Sequence, residues 1–252
     1  MATIQRSTSA AAQYGSTLGV AAAILGVVGV SCAALGLLPP IGGFALVVLA
    51  LGMSLIGLVM SIVGYVATAP AKNREGRSSA VRGLALCAMV LVAILVPASK
   101  GRGVPRINDI TTDTEDPPKF VAALNANPGR DMSYPEGFAA QQNEGYQDLA
   151  SLVLGYPPAV AYEKVRAALA SMPRMEIIGE SREEGRIEAT ETSSLFHFAD
   201  DVVVRLRPYA EGGTRVDVRS KSRVGKGDLG VNANRIRALF ARIRASDPPP
   251  GD

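Results

Sequence analysis

Three stretches in the first hundred residues carry almost no charge: Leu18 to Leu38, Phe44 to Val66, and Gly83 to Val96 with small or apolar residues on either side. A hydrocarbon layer of about 30 Å is crossed by about 20 residues of apolar helix, because a helix satisfies its own backbone amides where no water can. The first two runs have that length as they stand. The third reaches it as residues 80–98, with Arg82 extending its guanidinium to the interface. Three spanning helices are therefore expected over residues 18–38, 44–66 and 80–98.

Charge follows the same division. Residues 1–99 hold five Lys or Arg and one acid, whereas the rest of the 252 residues holds 21 basic and 22 acidic side chains. The net charge of +3 thus belongs to the apolar half, and a near-neutral polar half excludes a general nucleic-acid binder. Both cysteines, Cys32 and Cys87, lie in apolar runs, so no disulfide framework is expected. The hairpin Pro39-Pro40-Ile41-Gly42-Gly43 is uncharged, while the next connector carries Lys72, Arg74, Arg77 and Arg82. Positive loops stay in the cytoplasm, which puts the N-terminus with Arg6 inside and everything after Pro97 outside. Lys100, Arg102 and Arg106 oppose this assignment but are outnumbered. A cleaved leader is rejected: Arg6 is the one charge before a run that is too long, and Gly29-Val30-Ser31 ahead of Cys32 lacks the aliphatic residue of a lipoprotein site.

Along the first span Gly15, Gly19, Ala22, Gly26, Gly29, Ala33 and Gly36 recur at spacings of three and four. Small residues on one face let helix backbones approach closely. The stripe is read as packing within the three-helix unit, or else as a face for a membrane-protein partner or a second copy through Gly15, Gly19, Gly26 and Gly29. No acid, His or Lys stands mid-span, which argues against an ion pathway.

Residues 100–150 are rich in Pro, Asn, Asp and Gly and read as an extended arm; residues 151–252 read as an α+β domain with a short tail. "YPPAVAYEKVRAALASM" opens with prolines suited to a first helical turn and places Val160, Val165, Leu169 and Met172 on one face. "MEIIGES", "GRIEATET", "DVVVRLRP" and "TRVDVRSKSRV" alternate by twos, with turns at Gly185, Ala199-Asp200 and Glu211-Gly212-Gly213. In the last strand Val216 and Val218 face one way and Arg215, Asp217, Arg219, Lys221 and Arg223 the other, so one side is expected to be wet and the sheet antiparallel. A closing helix from Asp228 to Arg244 turns Leu229, Ala233, Ile236, Leu239, Phe240 and Ile243 inward, leaving Arg235, Arg237, Arg242 and Arg244 elsewhere. The expected architecture is a two-layer α+β domain with a four-stranded antiparallel sheet packed by two helices. Residues 107–200 hold 16 acids against 7 bases and residues 201–245 hold 11 bases against 4 acids. Cross-strand pairs such as Glu188 or Asp217 with Arg205, Arg207 or Arg219 follow, with the acidic arm on the basic face. The other reading is a basic surface for an anionic ligand or lipid headgroups.

Gly225, Gly227 and Gly230 satisfy the G-x-G-x-x-G spacing of a dinucleotide loop. The surroundings do not: the strand before it is half-exposed, no βαβ unit encloses it, and no acid ends a second strand about twenty residues on. Turn chemistry remains, with Asp228 capping the helix, and the basic flanks Arg223 and Lys226 leave an anion site as the lesser reading. His197, the single histidine, could be joined to Ser193, Ser194, Asp200 and Asp201 as a hydrolytic set, but no nucleophile elbow is present. Asp109, Asp113, Glu115 and Asp116 lack the glycine and terminal glutamate of a calcium loop. No catalytic residue, cofactor or metal is assigned.

"INDITTDTEDPPKF", "GRIEATETSSLFHFADDVVVRLRP" and "GTRVDVRSKSRVGKGDLGVNANRIRALF" together resemble the DUF1499 family, bacterial and plastid proteins of unassigned function. The resemblance covers residues 105–244 and brings no catalytic residues with it. It implies a bacterial protein, placing the spans in the cytoplasmic (inner) membrane and the domain in the periplasm. The family's marks stand here at Asp109, Asp113, Asp116, Asp200, Asp201, Arg205, Ser222, Arg223, Gly225, Gly227, Asp228, Gly230, Asn232, Arg235 and Arg237. From these readings the candidate ligand residues are Arg205, Arg219, Arg223, Lys226, Asp228, Asn232 and Arg235. The expected role is a non-enzymatic binding or accessory module for a protein, lipid or small anionic ligand, the alternative being a structural subunit of a larger membrane complex, with a hydrolase ranked last.

Overall fold

The computed structural model describes residues 7–246; Arg6, which enters the charge balance above, and residues 247–252 lie outside them. Two compact units divide at Lys100 and Gly101.

The first unit is three helices, α1 (Ala10–Ala34), α2 (Pro40–Ala67) and α3 (Arg77–Ala98), each long and apolar enough to cross a membrane, with mean hydropathies of 2.1, 2.7 and 2.4. α1 starts ahead of the apolar run because the Ser9 hydroxyl accepts the Ala12 amide at 3.4 Å and caps it. α2 starts at Pro40, whose missing N–H costs nothing in the first turn. The small-residue stripe is occupied inside this unit. A Cβ on Gly15 would lie 2.7 Å from the Ser61 amide nitrogen, one on Gly83 would lie 2.8 Å from the Gly15 carbonyl carbon, and one on Gly29 would lie 2.8 Å from the Leu46 Cβ. Gly19 abuts Cys87 and Leu86, and Gly26 faces Ala50. Backbones therefore touch where side chains are absent, the close-packing mode of helices in lipid.

The second unit contains β1 (Asp109–Thr111), α4 (Ala122–Ala126), α5 (Phe138–Gly145), β2 (Leu152–Leu154), α6 (Pro158–Ala170), β3 (Met175–Ser181), β4 (Arg186–Thr192), β5 (Ala199–Tyr209), β6 (Gly213–Ser222) and α7 (Val231–Ala245). One antiparallel sheet has the order β1-β6-β5-β4-β3, with β2 also on β6. It has six strands rather than the expected four. The additions come from the acidic segment: Asp109 to Thr111 stand opposite Lys221 to Arg219, and Leu152 to Leu154 stand opposite Val216 to Thr214, so two three-residue strands share the outer edge of β6.

One sheet face packs on α6 and α7. Ile187, Ala189, Val202, Val204, Leu206, Val216 and Val218 meet Val165, Leu169, Ile236, Leu239 and Ile243 in the core. Alternation by twos put these residues on one side, and helical spacing gave each helix a matching stripe. The opposite face, expected to be wet, is covered. Asp217 is wholly buried, and Arg219 and Lys221 are buried with it, because residues 112–134 lie across them. A small apolar group of Phe120, Ala123 and Val203 closes that layer.

Three local expectations are corrected. Ala199 and Asp200 begin β5 instead of forming a turn; the reversal before them is closed by the Ser193 amide on the Phe198 carbonyl (2.8 Å) and the Phe198 amide on the Ser193 hydroxyl (2.9 Å). Val160 is exposed, since it falls in the first turn of α6 beyond the reach of the sheet. α7 begins at Val231, so Leu229 precedes the helix and points outward, whereas Arg235 is buried.

Candidate functional site

The polar residues of this unit meet in a layer between the sheet and the acidic segment. β5 and β6 are joined by the turn at residues 210–212, which sets Arg207 directly opposite Arg215 and Arg205 opposite Asp217. Like charges facing across strands repel. The acids that relieve them are Asp217 itself and Asp113. Asp217 Oδ2 accepts from Arg205 Nη2 at 3.0 Å and Arg207 Nη2 at 2.8 Å, while Oδ1 accepts from Arg215 Nε at 3.0 Å and the Ser151 hydroxyl at 2.5 Å. Asp113 Oδ2 accepts from the same three arginines at 3.1, 3.1 and 2.8 Å, and Asp116 adds bonds to Arg205 and Arg207 at 2.9 and 3.0 Å. Burial pushes the Asp217 carboxyl up, but hydrogen bonds from Ser151, Arg205 and Arg215 outweigh it and hold the group below its ordinary value.

Farther along β6, Arg219 grips the Asp109 carboxylate with Nε at 2.9 Å and Nη2 at 2.7 Å, the forked pairing that suits a planar guanidinium. Its remaining donors reach the carbonyls of Pro118 (3.2 Å) and Met132 (2.9 Å). The guanidinium lies 5.0 Å from the Phe120 ring centre and 5.5 Å from that of Tyr134. Lys221 joins Asp109 at 2.9 Å and the Ser133 carbonyl at 2.9 Å. Burial and the nearby Asp109 charge push the Tyr134 hydroxyl well above its ordinary range, so it stays protonated, with Arg219 opposing. Asp201 is held by Arg130, by Arg223 and by the Thr190 hydroxyl at 3.0 Å. Glu188 accepts the amides of Val121, Ala122 and Ala123 at 2.9, 3.0 and 2.9 Å and pairs with Arg186.

On the other face, Arg235 binds Asp200 at 2.7 Å, Glu191, the Ser220 hydroxyl at 2.8 Å and the Asn232 side chain at 2.5 Å; Asn232 passes the network on to Ser222 at 2.9 Å. The GKGDLG turn stands beside it. Asp228 Oδ1 accepts the Gly230 amide at 2.9 Å and Oδ2 accepts the Asn232 amide at 2.8 Å, so the protein's own carboxylate caps the start of α7 where an anion would otherwise bind. Gly230, at φ 83, makes the tight entry into the helix, and Leu229, at φ 54, shares that left-handed conformation at a cost of about 1–2 kcal/mol for a residue with a Cβ.

The candidate residues thus separate into groups. Arg205, Arg219 and Arg223 clamp the covering segment or its neighbours, Arg235 and Asn232 form the network under α7, Asp228 is the cap, and Lys226 alone is an exposed cation in the turn. Arg130, Arg207 and Arg215 complete the layer; Arg207 was expected as a partner of Asp217 and Arg215 on the charged strand face, but none of the three was among the candidate ligand residues. The legible signal for two of them was the hairpin register, which faces Arg207 with Arg215 and so demands an intervening anion. The hydrolytic set is not assembled: Ser193 closes a turn, and Asp200 and Asp201 are bound to arginines. Among the described residues no cluster of His, Cys, Asp or Glu is placed to hold a metal.

A cleft of about 530 Å³ remains along the covering segment, lined by Lys119, Phe120, Leu124, Arg130, Met132 and Tyr134 among others. Lys119 is exposed at its rim.

Residues 109–243, just over half the chain, match the profile of a family described as Protein of unknown function (DUF1499). No curated protein matches the sequence. Among solved structures, the crystal structure of TTHA0849 from Thermus thermophilus aligns with 39% of this chain and 97% of its own length, at 12% identity and a TM-score of 0.23.

Proposed function

The chain belongs to the DUF1499 family, and from that premise we propose that it is a non-enzymatic binding or accessory module held at the bacterial cytoplasmic membrane by three spans. Its polar unit stands on the outer side, a reading supported by Lys72 and Arg74 in the connector between the second and third apolar helices and by Arg77 and Arg82 at the start of α3.

The observation that carries the binding reading is the contrast between the charge layer and the cleft beside it. General acid–base or nucleophilic chemistry needs a group free to exchange a proton or attack. The buried carboxylates Asp109, Asp201 and Asp217 are instead each saturated by cations. The adjoining cleft offers Phe120, Met132, Leu124 and the Tyr134 ring as an apolar lining, with Lys119 at the mouth. Apolar walls with a few polar groups are the usual make-up of a ligand pocket; this one suits an apolar body, and its polar lining carries both signs, Lys119 standing with Glu115, Asp116 and Asp131. The competing role of structural subunit rested on the glycine stripe, which is engaged within α1, α2 and α3.

Native mass spectrometry after mild detergent extraction tests the proposal. The expected spectrum contains a ligand- or partner-bound species that Lys119→Glu diminishes. Only the bare chain, in wild type and variant alike, would overturn it.

A further inference from the structure

We infer that the GKGDLG turn, together with the segment that follows α3, is a docking edge for an anionic bilayer surface, in which Leu229, Val231 and Val224 enter the interfacial layer while Arg102, Arg106 and Lys226 meet lipid phosphates.

The turn is fixed from beneath. Asp228 takes the Gly230 and Asn232 amides, its own amide donates to the Ile107 carbonyl at 3.2 Å, and the Asn108 side chain donates to the Gly225 carbonyl at 2.6 Å. On this rigid base the apolar side chains turn outward: Leu229 is 58% exposed, Val231 49% and Val224 45%. Leu229 is held so in a left-handed backbone conformation that leucine rarely adopts. Strained residues persist where the surrounding structure over-determines them, often at sites of contact.

The segment after α3 runs alongside. Gly101 lies against Leu229, a Cβ on Gly230 would come within 3.6 Å of Val104, and one on Gly227 within 3.0 Å of Arg106. Gly101 follows Ala98, the last residue of α3, by three positions. Three residues of chain reach at most about 11 Å, so Gly101 stays within that distance of the end of the third apolar helix, and Leu229, packed on it, only one side-chain contact farther, however the domain is turned. Charge selects the occupant. Arg102, Arg106 and Lys226 are exposed and make no ion pair among the described residues, and the single acid in residues 101–108 and 224–231 is Asp228, whose oxygens are taken by the cap. Apolar side chains ringed by cations bind a membrane by inserting at the boundary while phosphates gather around them.

The inference rests on the membrane anchoring proposed above and is independent of the cleft. The chain contains no tryptophan, so Leu229→Trp in the full-length protein gives a single depth probe. In nanodiscs of phosphatidylcholine and phosphatidylglycerol, lipids brominated on the acyl chains should quench the emission of the L229W variant at least about twofold, and Val231→Trp should behave alike. Val153→Trp, at the far end of β6 opposite Arg215, should be unaffected. Replacing Arg102, Arg106 and Lys226 by Gln, or phosphatidylglycerol by phosphatidylcholine, should lower the quenching. Emission unchanged by bromine at both 229 and 231 would overturn the inference, as would blue-shifted, unquenched emission from L229W, which signals a protein partner. Quenching indifferent to charge would overturn the headgroup contact. Co-elution of protein with lipid reports insertion separately, so failed anchoring is told apart from failed docking.

Discussion

Asp217 concentrates the chemistry of the polar unit in one side chain. It is wholly buried, faces Arg205, Arg207 and Arg215, and has its carboxyl held below the ordinary value of 3.8. A group whose folded value is depressed stabilises the fold above the unfolded value and loses that contribution as pH falls through the lowered one. The melting temperature of the detergent-solubilised protein should therefore be insensitive to this group near neutrality and fall as pH drops below 3.8. Asp217→Asn should cost about 3–5 kcal/mol at neutral pH, because the three arginines lose the one wholly buried carboxylate among them, and should flatten that acid limb. Glu180→Gln, which breaks the solvent-facing pair with Arg166 at 2.6 Å, should leave the melting temperature nearly unchanged, since water and salt screen such a pair. Equal shifts for the two variants would contradict the role given to the covered layer.

Among the elements, α1 depends on absence of side chains. Gly15 meets the Ser61 backbone on α2 and lies beside Gly83 on α3, whereas Gly52 has nothing within 4 Å of its Cβ position. Gly15→Leu should pry the three helices apart and Gly52→Leu should leave them together. The buried Cys87 thiol reports the difference: in a Cys32→Ala background, a lipid-permeable maleimide should label Cys87 faster in the first variant only. The apolar helices, α6 with its leading prolines, and the alternating strands β3 to β6 were legible because each repeats a period over enough residues to be seen. β1 and β2 were not, since three residues show no period and nothing local says that both lie on β6. Arg235 looked exposed because of its charge: helical spacing puts it on the face of Leu239, four residues on, but the acids that let it be buried there, Asp200 and Glu191, lie on strands that the spacing cannot see. The acid-and-base asymmetry foretold that the arm meets the sheet. The strand pattern gave Asp217 its partners Arg205 and Arg207, but the partners of Glu188 and Arg219, which are Arg186 and Asp109, are set by tertiary register and were hidden.

At the scale of the molecule, the boundary drawn from composition at residue 151 cuts through a single sheet. A fragment of residues 151–246 keeps α6, α7, β2 and the four longer strands but loses β1, Asp109, Asp113 and the covering segment. Much of the outer edge of β6 and three arginines would stand open, the condition in which strand edges pair with other chains. Residues 101–246 should melt cooperatively by circular dichroism, and residues 151–246 should aggregate or show no transition. A cooperative transition in the shorter fragment would show that the covering segment is ornamental to the sheet.

The pairing of Asp109 with Arg219 also sets a clock for biogenesis. The partners are 110 residues apart, and the first of them leaves the ribosome soon after the third apolar helix. At about 5–20 residues per second, Asp109 waits roughly 5–20 s for its arginine. During that interval an acidic, unpaired strand is already displayed while β6 is still unmade. Strands β3 to β6 are synthesised in that order, and the last of them pairs backward with the segment made first, so the edge of the sheet is completed only when β6 is available.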